Sequence, residues 1–180
     1  MNQNHSSAFN TRRVARCALV AAVYVALCLG LAPFSFGAVQ IRVAEILTLM
    51  PIFGPEYIAA VSVGCFLSNL LGVSMGMTAA PDILFGTLAT VLACLVTYRL
   101  RGIRWKGLAI PAAIPPVVFN ALIVGPEIAF FFSDSPATVP LVAWNAFTVG
   151  AGEVISCMVL GVLFVKLIES TPALNKLVRA

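Results

Sequence analysis

The sequence predicts an all-α membrane protein, a six-transmembrane-helix bundle with both termini in the cytoplasm. Three observations carry this. Of the 180 residues, 61% are hydrophobic and 10% charged; a soluble domain carries about a quarter charged residues, and a soluble fold this small cannot hide so much apolar surface. The apolar residues gather into runs on the scale of the ~20 residues that cross a bilayer. The basic residues sit in short clusters between those runs, where they set orientation. They do not form the single stripe of a nucleic-acid surface, so the formal charge of +4 is read as topology, with lipid and not nucleic acid as the surrounding partner.

Each element follows from the chain in order. Residues 1–11 are polar and read as a disordered cytoplasmic tail, residues 12–170 as the membrane domain, and residues 171–180 as a second cytoplasmic tail. Arg12, Arg13 and Arg16 precede an apolar run, as in a signal peptide. That run, residues 14–32, is longer than the usual h-region of roughly 7–15 residues, so it reads as a retained first span. Pro33, Phe34, Ser35, Phe36 and Gly37 break it. The second segment, residues 41–53, carries Arg42 and Glu45 and is too short for a full crossing; it reads as a short, tilted or partly buried helix, ended by Gly54 and Pro55. The third and fourth spans are residues 56–73 and 82–98. A basic loop with Arg99, Arg101, Arg104 and Lys106 precedes the fifth, residues 108–129, whose first turns hold Pro111, Pro115 and Pro116. Prolines there distort a helix unless neighbours satisfy the freed carbonyls. A loop containing Asp134 and no basic residue leads to the sixth span, residues 141–167. Threaded from a cytoplasmic N-terminus, ten of the 11 basic residues fall inside and Arg42 alone falls outside, as the positive-inside rule requires.

Polar groups in hydrocarbon are costly and mark function by default. Glu45, Asn69, Asp82, Asn120, Asn145 and Glu153, placed by a rise of ~1.5 Å per residue, all fall in the outer half of the membrane. A proton or ion path needs polar groups through the whole thickness; a pocket open to the outside needs them in one half. A small-molecule pocket facing outward is therefore expected. Simpler roles stand beside this one. Arg42 and Glu45, three apart, can pair on one helix face. Asp82 after Pro81 and Glu56 after Pro55 fit helix-start caps. Trp144 fits an aromatic belt, and Asn69 and Asn120 fit interhelical hydrogen bonds. Glu153, mid-helix after Gly150 and Gly152 with no basic residue within a turn, is the hardest to assign to structure alone.

Two further features bear on partners and chemistry. Ala18, Ala22 and Ala26 recur every four residues on the first span, a small-residue stripe that lets another helix approach closely, within this chain or from a partner. Cys17, Cys28, Cys65, Cys94 and Cys157 lie in apolar runs without a C-x-x-C pair and read as small packing residues, with no metal or cofactor expected. The single histidine, His5, lies in the N-terminal tail, and no Ser-His-Asp, His-metal or paired-carboxylate catalytic site is evident, so an enzyme is not expected.

Several motifs in order carry a resemblance: V-Q-I-R-V-A-E-I-L-T-L-M-P at 39–51, S-N-L-L-G at 68–72, D-I-L-F-G-T-L-A-T at 82–90, P-V-V-F-N-A-L-I-V-G at 116–125 and G-E-V-I-S-C-M-V-L-G at 152–161. With these, the chain from Arg12 to about Ile168 resembles the queuosine-precursor transporters, among the substrate-binding S components of energy-coupling factor transporters. The resemblance implies capture of a 7-deazaguanine base or queuine from outside a prokaryotic plasma membrane. Glu153 or Glu45 would then accept the guanine-like N1–H and exocyclic amine. Asn120 and Asn69 would serve the remaining ring atoms, Trp144 or Phe119 would cover the ring, and Arg42 would orient Glu45. Because the chain has no G-x-x-x-x-G-K-[ST] loop for ATP, the resemblance also implies a membrane T component, docked on Ala18, Ala22 and Ala26, and two ATP-binding subunits. An S component for another vitamin-like ligand and a self-sufficient small carrier are the alternatives; the apolar inner half argues against the carrier.

Overall fold

The computed structural model describes residues 11–35, 41–133 and 136–179. The expected N-terminal tail with His5, the break residues Phe36 and Gly37, and Asp134 lie outside the described residues; of that tail only Thr11 is described, and it opens the first helix. In chain order the helices are α1 (Thr11–Gly30), a short α2 (Ala32–Ser35), a 3₁₀ helix (Val43–Ile52), α3 (Glu56–Ser74), α4 (Ala80–Arg99) and α5 (Ile110–Phe131). Then come α6 (Val139–Glu153), a π-helix (Val154–Gly161), α7 (Val162–Ser170) and α8 (Pro172–Arg179). No named strand occurs among the described residues; Trp105 and Leu108 form one isolated bridge. Among the described residues, five helical stretches are long and apolar enough to cross a membrane: α1, α3, α4, α5 and the continuous rod Val139–Ser170.

The second expected segment takes an unusual form. Its ten residues, Val43–Ile52, form a 3₁₀ helix about 20 Å long at ~2.0 Å per residue, short of the ~30 Å hydrocarbon thickness. It is packed by α1, α3, α4, α5, α7 and the π-helix, and Ala44, Glu45 and Leu47 through Ile52 are all buried. Protein surrounds it instead of lipid, which is the condition under which irregular backbone is tolerated at membrane depth. The expected short, buried helix is therefore found, in the tighter helical form.

Contacts between the ends define two faces. Arg13 pairs with Glu56 at 2.8 Å, joining the starts of α1 and α3. Arg104 pairs with Glu169 at 2.6 Å, bringing the α4–α5 loop to the end of α7. Arg16 donates to the Leu177 carbonyl at 2.8 Å, and the Tyr57 hydroxyl donates to that of Val178 at 2.9 Å. The segment read as a C-terminal tail is thus helix α8, lying along the same end. Since α1 and α3 start together, the chain returns through the bundle between them, within the stretch that holds the 3₁₀ helix.

Small residues set the helix spacings. A Cβ on Gly64 of α3 would stand 2.8 Å from the Tyr24 Cβ of α1, and one on Gly125 of α5 would stand 2.5 Å from the Ala146 Cα of α6. Such close approach is the main source of helix association where lipid removes the hydrophobic drive. The prolines of α5 are accommodated: Pro116 deprives the Ala112 carbonyl of its helical donor, and the Thr97 hydroxyl of α4 supplies one at 2.9 Å. The main core joins Tyr24, Cys28, Leu49, Val61, Cys65, Cys157 and Val165. A smaller one, Ala89, Val124 and Val149, lies where α4, α5 and α6 meet.

Candidate functional site

The polar residues assemble around the 3₁₀ helix. Arg42 immediately precedes it, at the end of the bundle away from the Arg13–Glu56 pair. Its guanidinium meets the Asp82 carboxylate at 2.7 Å with both side chains buried, and donates to Asn69 Oδ1 at 3.0 Å. Asn69 Nδ2 in turn donates to the Asp82 backbone carbonyl at 2.8 Å, and the Thr78 hydroxyl donates to Asp82 Oδ2 at 3.0 Å. Three elements are locked by this cluster. Gly86, one turn after Asp82, makes the room: a Cβ there would stand 2.8 Å from Asp82 Oδ1 and 2.9 Å from Asn69 Nδ2. The cap expected of Asp82 is therefore corrected. The α4 start has no side-chain cap, and Asp82 is instead the anion for a buried arginine, which sequence spacing alone does not reveal. Glu56, read as a cap, pairs with Arg13.

One turn deeper, Glu45 takes a short hydrogen bond from the Tyr24 hydroxyl, while its Oε2 has no partner. The Glu45 carbonyl accepts from the Thr48 hydroxyl at 2.6 Å and lies 3.3 Å from Cys157 Sγ. Cys157 Sγ is also 3.3 Å from Glu153 Oε2, so the thiol bridges the two acidic residues. Glu45, Glu153 and Cys157 offer donor atoms that all lie within 4.8 Å of one another, the one such grouping among the described residues with the makings of a metal site. A set without histidine or a second thiolate is unusual for zinc. Two carboxyl groups side by side are equally acceptors for a pair of N–H donors on one ligand edge. The non-α geometry places them: Glu45 is in the first turn of the 3₁₀ helix and Glu153 is the last residue before the π-helix. π-helical segments within α-helices recur at functional sites.

The structure brings Arg42, Asn69, Glu45 and Glu153 around this core and treats the other named residues differently. Asn120 is buried, but its Nδ2 donates to the Pro116 carbonyl of its own helix at 3.0 Å. Trp144 is 63% exposed, with its ring 6.0 Å from that of Phe147; it points outward, away from the acidic core. Phe119 packs beside the small α4–α5–α6 core. Asn145 is half-buried. Ala18, Ala22 and Ala26 are all exposed on α1, whose buried face is Ala21, Tyr24 and Cys28.

Several participants were not singled out in the sequence. Tyr24 could have been found from its spacing with Ala21 and Cys28, the one hydroxyl-bearing aromatic on the buried stripe. Cys157, four residues after Glu153, lies on the same helical face. Glu127 is the largest omission. It is 3% exposed and neither carboxylate oxygen has a partner. It stands two residues before the expected end of the fifth span, where a carboxylate would ordinarily reach water, and only packing shows that it does not.

Residues 14–170 match the family model described as QueT transporter. The chain belongs to the QueT transporter family. A relative from Lactococcus lactis subsp. cremoris (strain MG1363), named queuosine precursor transporter QueT, is 37% identical over 84 residues. That match spans 46% of this chain and 47% of the relative, about half the length of each. No solved structure matches the chain. Membership in a transporter family fits a multi-pass membrane protein with several long apolar helices.

Proposed function

We propose that this protein is the substrate-capturing membrane subunit for a queuosine precursor, a 7-deazaguanine base taken from outside a prokaryotic cell. The observation carrying this reading is the pair Glu45 and Glu153, buried together, one in the 3₁₀ helix and the other at the last residue before the π-helix, with an open acceptor at Glu45 Oε2. A guanine-like edge presents N1–H and an exocyclic amine side by side, and carboxylate acceptors receive both in charge-assisted bonds. Arg42, Asn69 and Asp82 form a rigid wall at the outer end. Because Arg42 and Asn69 are already bonded to each other and to Asp82, they position the 3₁₀ helix.

The wider arrangement belongs to the same reading. The chain crosses six times, the 3₁₀ helix serving as the second crossing, with both termini cytoplasmic. The clustering of Arg13, Arg16, Arg104 and α8 at one end supports this, since the positive-inside rule makes that end cytoplasmic. Delivery is driven by ATP through an energy-coupling factor complex, with a T component on the exposed Ala18, Ala22 and Ala26 face and two ATP-binding subunits.

Calorimetry on the purified protein in detergent tests the reading, with 7-deazaguanine bases, queuine, guanine, thiamin and riboflavin as ligands. Selective binding of a deazaguanine is expected, weakened in Glu153→Gln by roughly 1.5–3 kcal/mol, the worth of a charge-assisted hydrogen bond. Binding of thiamin or riboflavin alone would remove the substrate assignment, and unchanged affinity in Glu153→Gln would remove that residue's role.

A further inference from the structure

Helix α8 turns away from α7 at a proline. Pro172 opens it, and Thr171 before it is extended, with φ −103° and ψ 105°, the backbone region that a following proline favours. Along α8, Leu174, Leu177 and Val178 share one side at helical spacing, with Asn175, Lys176 and Arg179 on the other. A helix of this pattern suits the boundary between hydrocarbon and headgroups. Two hydrogen bonds fix it to the end of the bundle: Arg16 Nη1 donates to the Leu177 carbonyl at 2.8 Å, and the Tyr57 hydroxyl donates to that of Val178 at 2.9 Å.

Where α8 meets the start of α1, the two helices form a groove of about 490 Å³, lined by Arg12, Ala15, Arg16, Ala173, Lys176 and Leu177. Three of these side chains are cationic and none is acidic. The acidic residues brought to this end of the bundle, Glu56 and Glu169, are joined to Arg13 and Arg104. Lys176 has no ion-pair partner among the described residues. Arg16, held by its bond to Leu177, keeps an Nε that is buried without a hydrogen-bond partner. The groove is therefore a fixed concavity of positive charge, at the opposite end of the bundle from the Arg42–Asp82 pair.

Depth and lining select the anion. Arg12 and Arg16 stand in the first two turns of α1, a 20-residue helix, which is headgroup level for a span of ~20 residues. Ala15, Ala173 and Leu177 give the groove an apolar wall. Leu19, one turn beyond Ala15 on the same side of α1, is 62% exposed, so that wall continues toward the bilayer interior. We infer that the α1–α8 groove binds one anionic phospholipid, its phosphate held by Arg12, Arg16 and Lys176 and its chain laid over Ala15 onto Leu19. The guanidinium fork suits phosphate oxygens, and basic pockets beside membrane helices take such headgroups. A free phosphate satisfies the cations but leaves the apolar wall in water. The inference is independent of the substrate reading.

Native mass spectrometry of the full chain in detergent tests it, by titration with phosphatidylglycerol and, separately, with phosphatidylcholine. The wild-type protein is expected to retain one phosphatidylglycerol, with an affinity roughly tenfold above that for phosphatidylcholine. Arg12→Gln/Lys176→Gln leaves the Arg16–Leu177 bond in place and is expected to weaken phosphatidylglycerol binding by roughly 10- to 30-fold, the worth of two basic groups at a membrane surface. Arg99→Gln/Lys166→Gln removes the same charge from exposed positions outside the groove and is expected to change nothing. Equal retention of the two lipids by the wild type would overturn the inference. Equal losses in the two double variants would also overturn it, leaving only a general attraction of charge. Displacement of phosphatidylglycerol by excess inorganic phosphate would assign the groove to a free anion, and displacement by polyglutamate would assign it to an acidic protein segment; either result removes the lipid. The comparison of lipids on the wild type decides the matter even where a variant does not fold.

Discussion

Replacing Asp82 by alanine should be among the most damaging single changes in the protein. Asp82 accepts from Arg42 at 2.7 Å and from Thr78 at 3.0 Å, and both members of the ion pair are at most 4% exposed. Removing one partner of a buried pair leaves a desolvated charge and costs about 3–5 kcal/mol. The Asn69 Oδ1 contact to Arg42 survives but cannot neutralise it, and the Asn69 bond to the residue 82 carbonyl is unaffected because it is a backbone bond. For a chain of this size about 1 kcal/mol moves Tm by roughly 2–4 °C, so Asp82→Ala should lower Tm by roughly 6–20 °C. A thiol-reactive dye reads this directly in detergent, since Cys28, Cys65, Cys94 and Cys157 are free and buried and become reactive on unfolding. The companion double variant Arg42→Met/Asp82→Leu removes both charges and should recover most of the loss, because a buried pair exchanged for apolar residues is often neutral. A Tm change under about 2 °C for Asp82→Ala would refute the reasoning. A double variant as unstable as the two single changes added together would refute it equally, showing that the residues act independently.

Other changes follow from the same geometry. Gly86→Ala forces a methyl to within 2.8 Å of Asp82 Oδ1 and 2.9 Å of Asn69 Nδ2; overpacking of this kind costs about 1–3 kcal/mol, and the dye assay should show a lower Tm. On the proposed coupling to a T component, Ala22→Leu should prevent co-purification of the complex and leave calorimetric ligand binding at wild-type strength, since Ala22 is exposed on α1 and outside the polar cluster. Assembly that survives this change would mean that the T component does not dock on this stripe.

The large-scale organisation was legible because the membrane imposes long apolar runs: the helices α1, α3, α4 and α5 and the Val139–Ser170 rod fall where the runs fall. The polar residues were legible as a set for the same reason, each being an exception to its run. Their pairing was not. Arg42 and Glu45 are neighbours at helical spacing, yet Arg42 bonds a residue 40 positions away and Glu45 takes its hydroxyl from Tyr24, 21 positions before it. Sequence distance carries no information about such contacts, which depend on how α1, α3 and α4 pack around the 3₁₀ helix. Glu127 was passed over because depth along a span does not distinguish a side chain reaching water from one turned into a groove.

Two departures from α-helical geometry converge at the acidic pair, and one constraint links them. A 3₁₀ helix rises ~2.0 Å per residue against ~1.5 Å for an α-helix, so ten residues reach about 5 Å farther through the bundle than they would as an α-helix. Arg42 and Glu45 both lie at the start of this segment, where Arg42 meets Asp82 and the Glu45 carbonyl meets Cys157. The π-helix widens the facing rod where it meets this segment, and Gly161 at its end sits against Leu49, with a built Cβ 3.3 Å from Leu49 Cδ1. A 3₁₀ run of this length is uncommon, and its poorer hydrogen-bond geometry is offset by burial on every side. Regular α-helices on both elements would shorten one and narrow the other, drawing Arg42 away from Asp82 and turning Glu153 relative to Glu45. The irregular backbone is therefore what assembles a rigid ion-paired wall and a carboxyl pair with an open acceptor from a chain otherwise built for lipid.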